Sequence, residues 1–491
     1  MGLYICENKE LQYIGHMRRE EKEQEHQLLL AEKKRVPELF EMPPMIDTLQ
    51  LLQWIGIEGV FGEYPFGHLK YLPEDFIVEE ISLDKKISTV DIGSGVQNLQ
   101  EQEGSTIYAE LVKVGLTTFH AKDEIARFVE IPSQSIGTAG LKDEVAITSQ
   151  RISLRKVRNL QLLENLAFED FFVKNIVRGK GVLKKGQLWG NRFVITIRFA
   201  GPLQAAEKLR IEQSLKEISE QGFWNFYSFQ RFAAPRFNGH IMGRHLLRGE
   251  YEQAIRTLLF YRGGREPMYF QHIRKDTENH WGNWKYIYQQ MRSFPSQFPT
   301  ELQFLEYLVE RPNDLRGALR AIAEQVRLWL YAYSSYLFNK KLSQSIKEGE
   351  ILFELPFVTS GNPKDWEHYE KFLKQDGITL PTSLYRDLPF LRSYSAGIFP
   401  TAPTLQQVEI HKAVFLENMM VLAFSLPKGA YATTFLAHLF QLSSEVPLPP
   451  GVSTNRIDAK EVVGLGSLGP VLERFRPVIT RFEQAREPKT N

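Results

Sequence analysis

The 491-residue sequence has very little cysteine: Cys6 is its single thiol. One thiol cannot form an internal disulfide, so a disulfide-stabilised secreted scaffold is excluded, and so is a zinc site built from several cysteines. No run of about 18 uninterrupted apolar residues occurs, which excludes a membrane-spanning helix. The first ten residues, MGLYICENKE, lack the basic and then apolar order of a signal peptide. We therefore expect a cytoplasmic protein.

Several motifs for metals and nucleotides are also missing. The chain contains neither the GxxxxGK[ST] phosphate loop nor the HExxH zinc motif, and its histidines do not pair with carboxylates at ligand spacing. The segment GLGSLG at 464–469 fits a bare GxGxxG pattern, but no βαβ unit follows it. A flexible turn is therefore the favoured interpretation of that segment.

The chain has almost no excess of charge, with 60 basic and 59 acidic residues. This excludes a protein that coats nucleic acid with a uniformly basic surface. Residues 142–198 are an exception, because they contain twelve basic and five acidic residues. The segment predicts contacts with nucleic-acid phosphates, and the alternative is that acidic residues from elsewhere in the chain neutralise it.

The remaining composition is that of a folded protein, with 43% hydrophobic and 24% charged residues. At roughly 150 residues per domain, the length favours about three units. Strands and helices alternate without a regular βαβ rhythm, which predicts an α+β fold. The mixed-charge stretch 18–35 predicts an exposed helix within an N-terminal extension.

The clearest strand is GNRFVITIR at 190–198, where alternation places Asn191 and Phe193 on one face. In the same way, Phe76 and Glu80 share a face of the strand in YLPEDFIVEE, residues 71–80. Further predictions are helical segments at 105–130, 204–220 and 317–341, a strand–turn–helix unit at 421–440, and a loop after residue 446.

The segment GTAGLKDEVAITSQ at 137–150, together with four others, resembles the TruD family of tRNA pseudouridine synthases. The other four are YLPEDFIVEE (71–80), GNRFVITIR (190–198), FWNFYSFQRF (223–232) and SLPKGAYATTFL (425–436). They occur in the order typical of the family and cover about residues 66–440. The run LWLYAYSSYLFNKKL at 328–342 is similar to a helix of that family's inserted domain.

The resemblance implies a pseudouridine-synthase mixed-sheet catalytic domain, interrupted by an inserted α/β domain called the TRUD domain. The implied segments are an N-terminal extension with a charged helix (1–62), the first part of the catalytic domain (63–220), the inserted domain (221–408), and the C-terminal part with a tail (409–491). It also implies tRNA as the partner and uridine 13 as the target. The oligomeric state is left open.

The implied reaction breaks the C1′–N1 bond of a uridine, turns the uracil and rejoins it through C5. Nothing is oxidised and no group is transferred, so we expect neither a metal nor another cofactor. The reaction requires one ionised carboxylate as nucleophile or base. Asp143 matches the family's catalytic Asp, and the neighbouring Lys142 and Lys70 are expected to keep it ionised.

A uridine within folded RNA must be flipped out of its stack to reach such a carboxylate, and stacking on an aromatic ring returns about 1–3 kcal/mol. Phe193 matches the family's stacking Phe, and Asn191 its polar neighbour. Phe76 and Glu80 are expected to border the site. The alternative is that Phe193 and Phe76 belong to the sheet core and Asn191 ends a turn.

Gln230 and Arg231 match the QRF sequence of the family and are expected to contact the substrate. The chain departs from the family pattern nearby and further on, at Trp224, Ser228, Ala233 and the Ala437–His438 pair. A missing glycine removes backbone freedom at positive φ, so we expect this loop to bend differently and to alter substrate choice more than catalysis.

Two other functions remain in view. One is a catalytically silent RNA-binding or tRNA-folding module on the same scaffold, against which the presence of Asp143, Asn191 and Phe193 argues. The other is a different RNA-modifying enzyme or an enzyme acting on glycosidic bonds. Retaining glycoside hydrolysis needs two carboxylates about 5–5.5 Å apart, and the sequence suggests no second carboxylate for Asp143.

Overall fold

A computed structural model describes residues 19–40, 48–62, 64–94, 103–164, 166–358, 363–380, 383–394, 401–444 and 448–486. Cys6 and the N-terminal decapeptide lie outside these residues. The chain forms two compact units. Of the described residues, unit 1 contains those within 64–224 and 406–486, and unit 2 contains those within 19–62 and 225–405.

The helices are, in chain order, α1 (Arg19–Arg35), α2 (Thr48–Trp54), α3 (Thr118–Phe128), α4 (Leu160–Glu164), α5 (Ala205–Gln221), α6 (Gly239–Leu247), α7 (Tyr251–Phe260), α8 (Met268–Glu278), α9 (Trp284–Met291), α10 (Pro299–Glu310), α11 (Leu315–Ala321), α12 (Ala323–Glu348), α13 (Glu370–Gln375), α14 (Leu384–Asp387), α15 (Ala432–Leu436), α16 (Ala459–Val462), α17 (Gly469–Arg474) and α18 (Arg476–Arg486). The strands are β1 (Phe66–His68), β2 (Phe76–Ile81), β3 (Thr106–Val114), β4 (Ile136–Thr138), β5 (Ile147–Leu154), β6 (Phe171–Gly179), β7 (Gly190–Arg198), β8 (Phe223–Trp224), β9 (Glu354–Pro356), β10 (Thr401–Pro403), β11 (Leu405–Gln406), β12 (Glu409–Phe415), β13 (Met419–Pro427) and β14 (Gln441–Ser443). Of the helices in the described ranges, none combines the length and apolar character needed to span a bilayer.

Unit 1 is built on a mixed sheet, in which ten strands are found among the described residues. Its main order is β12-β13-β7-β2-β5-β3-β6, with β2 and β5 parallel and the other neighbours antiparallel. Strand β7 confirms the alternation predicted for 190–198. Phe193 and Ile195 pack in one apolar cluster, and Val194 packs in another on the opposite face.

Helices cover both faces of this sheet. On the face with Phe193, α5 contributes Ile211 and α15 contributes Phe435. On the opposite face, α17 and α18 contribute Val471 and Ile479. The strand–turn–helix unit predicted at 421–440 is therefore confirmed as β13 and α15. The loop predicted after residue 446 is wrong for much of 448–486, which contains α16, α17 and α18.

The helix predicted over 105–130 is correct only in its second half, which is α3. Its first half is strand β3, with Ile107 and Leu111 in one cluster and Val112 in another. Both faces of this strand are covered, so apolar residues occur at odd and even positions. They therefore also fall at the three- and four-residue spacing of a helix.

Unit 2 is mostly helical, and its apolar cluster includes Leu305 of α10 and Tyr333 of α12. Strands β9 and β10 add a short antiparallel ladder. The predicted charged helix is present as α1, but it is not fully exposed. Leu29 is buried in the cluster, and buried Glu25 accepts hydrogen bonds from Ser296 N and Oγ at 3.2 and 2.6 Å. Together, the mixed sheet and helices confirm the predicted α+β fold class.

Candidate active site

The candidate site is built on the loop between β4 and β5, residues 139–146, which we call the Asp143 loop. Hydrogen bonds with four residues outside this loop hold its backbone in unit 1, besides those of Lys113 described below. They are Gln150 Nε2 to Gly140 O (3.0 Å), Lys142 N to Thr118 Oγ1 (3.1 Å), Gly186 N to Ala139 O (2.7 Å) and Gly115 N to Glu144 O (3.0 Å). The loop therefore presents Asp143 from a fixed backbone.

Asp143 forms an ion pair with Lys70, whose Nζ lies 2.8 Å from Oδ1. The side chain of Asp143 keeps 24% of its surface exposed, so the carboxylate is reachable from solvent. Lys70 precedes β2 and has a left-handed backbone, with φ of 56°. A lysine in that conformation carries a strain of about 1–2 kcal/mol, which its surroundings must offset.

These surroundings set the charge of Asp143. Burial by itself would raise the pKa of the carboxyl, but the charge of Lys70 and its hydrogen bond outweigh that effect, helped by the charges of Lys113 and Lys142. The pKa of Asp143 consequently lies below its ordinary value, and the group is ionised at neutral pH.

Glu80 and Lys142 form a second ion pair, which is almost completely buried. Lys142 Nζ lies 2.8 Å from Glu80 Oε2, and Arg151 N donates to Glu80 Oε1 at 3.2 Å. Both oxygens of Glu80 therefore have protein partners. In this geometry the pair ties β2 to the Asp143 loop.

Aromatic rings continue from the ion pair along the sheet. Lys70 Nζ lies 4.2 Å from the centre of the Phe76 ring, which meets Phe193 edge-on at 6.2 Å. Phe193 is stacked on Phe424 at 5.2 Å and is only 6% exposed. Asn191 lies opposite Glu80 in the β2–β7 ladder, and its buried Oδ1 has no hydrogen-bond partner among the described residues.

Gln230 and Arg231 lie in unit 2, on a short 3₁₀ helix at Phe229–Phe232. The guanidinium of Arg231 lies over the rings of Tyr227 and Phe357, at 5.1 and 6.0 Å from their centres. The residues expected to form one site are thus divided, with Asp143 and its neighbours in unit 1 and these two in unit 2.

The departures near the QRF segment have defined structures. Ala233 adopts the left-handed conformation, with φ of 63°, so alanine bears the backbone strain that a glycine would avoid. His438 is buried, and this burial lowers its pKa to about 4. Its Nδ1 lies 2.9 Å from Thr434 O, and Trp224 N donates to its Nε2 at 3.2 Å. His438 is therefore a neutral structural residue.

The basic segment 142–198 is partly neutralised by acids from an earlier part of the chain. Four of its bases, three buried and one (Arg192) half-buried, pair with residues 75–91: Lys142 with Glu80, Lys174 with Asp91, Arg192 with Glu79, and Arg198 with Asp75. The alternative interpretation of the charge excess therefore holds for these four bases. Lys184 and Lys185 differ from them because both are exposed.

Three residues near Asp143 were not anticipated from the sequence. They are Lys113, whose Nζ donates to the carbonyl oxygen of Asp143 at 2.6 Å, and Thr118 and Gln150, which hold the loop backbone. A lysine between two valines in the strand-forming stretch LVKVG was a usable signal, since a lysine is rarely buried without partners. No cluster of three or more His, Cys, Asp or Glu side chains suited to a metal ion occurs in the part of the chain that the structure describes.

Comparisons with known proteins identify the family of this chain. A sequence profile of the family described as tRNA pseudouridine synthase D (TruD) matches residues 62–356, more than half of the chain. A Methanopyrus kandleri protein with that name is 31% identical over 349 residues, covering 67% of this chain and 84% of the relative. A Geobacter metallireducens tRNA pseudouridine synthase D is 27% identical over 415 residues, covering 76% of this chain and 95% of the relative.

A crystal structure of the Methanosarcina mazei tRNA pseudouridine synthase D superposes with a TM-score of 0.60 at 22% identity. It covers 80% of this chain and 98% of that one, and it supports the fold. The profile match and the Methanopyrus relative go further than the fold: this chain belongs to the tRNA pseudouridine synthase D (TruD) family and is a pseudouridine synthase.

Proposed function

We propose that this protein converts a uridine of tRNA, uridine 13, to pseudouridine, with Asp143 as the catalytic nucleophile or base. The observation that carries the proposal is the ion pair of Asp143 and Lys70, beside the rings of Phe76 and Phe193. It places an ionised, partly exposed carboxylate beside two aromatic rings, of which Phe76 is 2% and Phe193 6% exposed. A carboxylate and an aromatic ring are the two groups that a flipped uridine requires.

In the proposed reaction, the C1′–N1 bond of the uridine breaks and a C5–C1′ bond forms after the uracil turns. The proton on C5 is lost, and N1 gains one, so the atoms balance without an oxidant or a second substrate. The Asp143 carboxylate acts on the ribose, as nucleophile or as base. Lys70 keeps the carboxylate ionised through its contact with Oδ1, and the side chain of Asp143 stays partly exposed.

Asn191 and Phe193 are proposed to bind the flipped base. The buried Oδ1 of Asn191, which lacks a partner among the described residues, supports a role as hydrogen-bond acceptor. Phe424 and Phe76 hold Phe193 in place. We propose that the uracil packs against the rings of Phe76 and Phe193 on the side nearest Lys70. Glu80 and Lys142 are proposed to hold the Asp143 loop beside the base.

The tRNA substrate, the choice of uridine 13, and the roles of Gln230 and Arg231 rest on the family. The names of the relatives given above supply tRNA, and the resemblance of the QRF segment supplies the two side chains. We propose residues 221–408 as the inserted domain between catalytic segments 63–220 and 409–491, with residues 1–62 as an N-terminal extension. The cytoplasmic location expected from the sequence stays a prediction.

The test is the variant Asp143→Asn, which keeps the size of the side chain but removes its charge. Pseudouridine formation, measured by tritium release from [5-³H]uridine-labelled tRNA, should fall roughly 10³-fold or more, since acid–base groups contribute about 10²–10⁴-fold. Affinity for tRNA should stay within a few-fold of the wild type. Carbodiimide mapping of the wild-type product should place the new pseudouridine at position 13.

Glu169→Gln is the control, because it removes a negative charge from an exposed carboxylate of the same unit, which pairs with Arg481. It should retain turnover within a few-fold. Wild-type turnover by Asp143→Asn would refute the assignment of Asp143. Modification at another position would refute the target while leaving the catalytic proposal intact.

A further inference from the structure

Lys113 is a charged side chain that is completely buried beneath the Asp143 loop. It lies in β3, beside Phe171 of β6 and Thr148 of β5, and none of its surface is exposed. Alternation along β3 places Lys113 on the same face as Ile107 and Leu111, which are core residues. An ammonium at the end of an apolar row is costly to bury, so its partners must offset that cost.

Those partners belong to the Asp143 loop. Lys113 Nζ donates hydrogen bonds to the carbonyl oxygen of Asp143 at 2.6 Å and to that of Lys142 at 3.4 Å. It thus holds the backbone at the residue whose carboxylate meets Lys70. Because the ammonium contacts this backbone directly, its loss would free the loop at the point where the position of Asp143 is set.

We propose that Lys113 is a positioning residue for the reaction: its ammonium fixes the backbone of Lys142 and Asp143 and thereby holds the Asp143 carboxylate at the substrate. The inference rests on the proposed function, since it takes Asp143 as the catalytic carboxylate. A shift of about 1 Å in such a group can cost about 10²-fold in rate.

Charge adds a second effect. The groups that act on Lys113 are the carboxylates of Asp143 and Glu144, which favour its ammonium, and the ammonium groups of Lys142 and Lys70, which oppose it. Burial is the largest influence and lowers the pKa of Lys113 to about 7. The protonated form is therefore present below pH 7 and is lost as the pH rises above it. Turnover should decline over the same range, because the loop loses its charged anchor.

The experiment compares Lys113→Met and Lys113→Gln with the wild type. In both variants kcat should fall about tenfold or more, which is the scale of a lost charged hydrogen bond, with KM for tRNA within about twofold. Amide hydrogen exchange in peptides spanning 139–146 should become faster. The decline of kcat above pH 7 should disappear. If Lys113→Met does not fold, Lys113→Gln provides the measurement, because its side chain fills much of the same space and ends in a polar amide.

Lys174→Met is the control, since it removes another buried lysine from the same unit. Lys174 lies in β6 and donates to Thr89 O at 2.6 Å and to Asp91. It should lower the melting temperature while leaving kcat and loop exchange within about twofold of the wild type. An equal loss of kcat in this control, or wild-type kcat or loop exchange in the Lys113 variants, would overturn the proposal.

The outcomes separate this proposal from the assignment of Asp143. If Asp143→Asn stays active, the assignment of Asp143 as the catalytic residue fails. The positioning role of Lys113 then fails with it, even if the Lys113 variants loosen the loop, because Lys113 would hold a loop without a catalytic group. If Asp143→Asn is inactive and the Lys113 variants resemble the wild type in loop exchange and kcat, only the positioning role fails.

Discussion

At the scale of single residues, the charge of Asp143 depends on its neighbours more than on its own chemistry. Burial disfavours the carboxylate, and the nearby Lys70 reverses that preference with a hydrogen bond of 2.8 Å. The left-handed backbone of Lys70 is part of the same arrangement, because it places this side chain between Asp143 and the Phe76 ring. One ammonium thus keeps the carboxylate ionised and contacts the aromatic surface beside it.

This dependence predicts the effect of Lys70→Met. Removing the ammonium should raise the pKa of Asp143, because the charge of Lys70 and its hydrogen bond are what outweigh the effect of burial. Activity needs the ionised carboxylate and is lost as the pH falls through its pKa. The acid limb of kcat/KM should therefore move to higher pH, as measured from pH 4.5 to 8.

Lys86→Met is the control for that shift, since Lys86 is an exposed lysine whose Nζ lies 3.4 Å from Asp84. Its acid limb should coincide with that of the wild type. An unmoved acid limb in Lys70→Met would mean that Lys70 does not control the ionisation of the catalytic group.

Residues of this site differ in how far the sequence could predict them. Asp143 and Lys70 were found because their segments resemble a family, and the pairing of Lys70 with Asp143 follows from simple charge. Thr118 and Gln150 were not found, because their hydrogen bonds to the loop, to residues 24 and 10 positions away, are set by the fold. Single-sequence patterns describe a residue's own segment and do not identify such partners.

At the scale of elements, the spacing of apolar residues predicted a strand correctly where that spacing fitted a strand and did not also fit a helix. Strand β7 was predicted with its bounds and both faces, since its residues alternate between two apolar clusters. Strand β3 was read as helix, because apolar residues on both of its faces hide the period of two. Burial on both sides is a tertiary property, and it removes the local signal.

The C-terminal helices show a second kind of failure. Proline and glycine after residue 446 favoured a loop, yet Pro470 lies in the first turn of α17 and Pro477 is the second residue of α18. Proline is well tolerated in the first turn, where its missing N–H has no helical acceptor. These residues therefore start helices here, and the core is completed by Val471 and Ile479 of the helices and by Phe475 between them.

The segment between β6 and β7 carries a prediction about RNA. Four bases of the basic segment form ion pairs within the protein, whereas Lys184 and Lys185 are exposed and available to phosphates. Changing both to Gln should flatten the plot of log affinity for tRNA against log salt. The magnitude of this negative slope should decrease by roughly 0.7–0.9 for each lost phosphate contact.

Lys33 and Lys34 provide a matched pair, because they are also adjacent and exposed, in α1 of unit 2. Their replacement by Gln should leave the slope unchanged. If the slope becomes flatter for the Lys33 and Lys34 variant and not for the Lys184 and Lys185 variant, the phosphate contacts belong to the N-terminal extension. Lys184 and Lys185 would then not be part of the RNA-binding surface.

At the scale of the whole molecule, the chain encloses separate apolar cores. Unit 1 holds three clusters around its sheet, and unit 2 holds one large cluster that Leu29 of the N-terminal extension joins. The compact units are closed by residues far apart in sequence, since unit 1 contains described residues from both 64–224 and 406–486. The extension thus contributes to the core of unit 2, a role that its charge-rich sequence did not indicate.

Separate cores predict two unfolding transitions. Leu305→Ala in unit 2 and Leu422→Ala in unit 1 remove the same atoms from fully buried sites, and each should cost about 2–5 kcal/mol. Each variant should lower the melting temperature of one transition in calorimetry and leave the other within about 1–2 °C, because each unit keeps its own core. Hydrogen exchange on peptides from 139–146 and 299–310 would assign the transitions to units. A single transition that both variants lower equally would show that the two cores unfold as one cooperative structure.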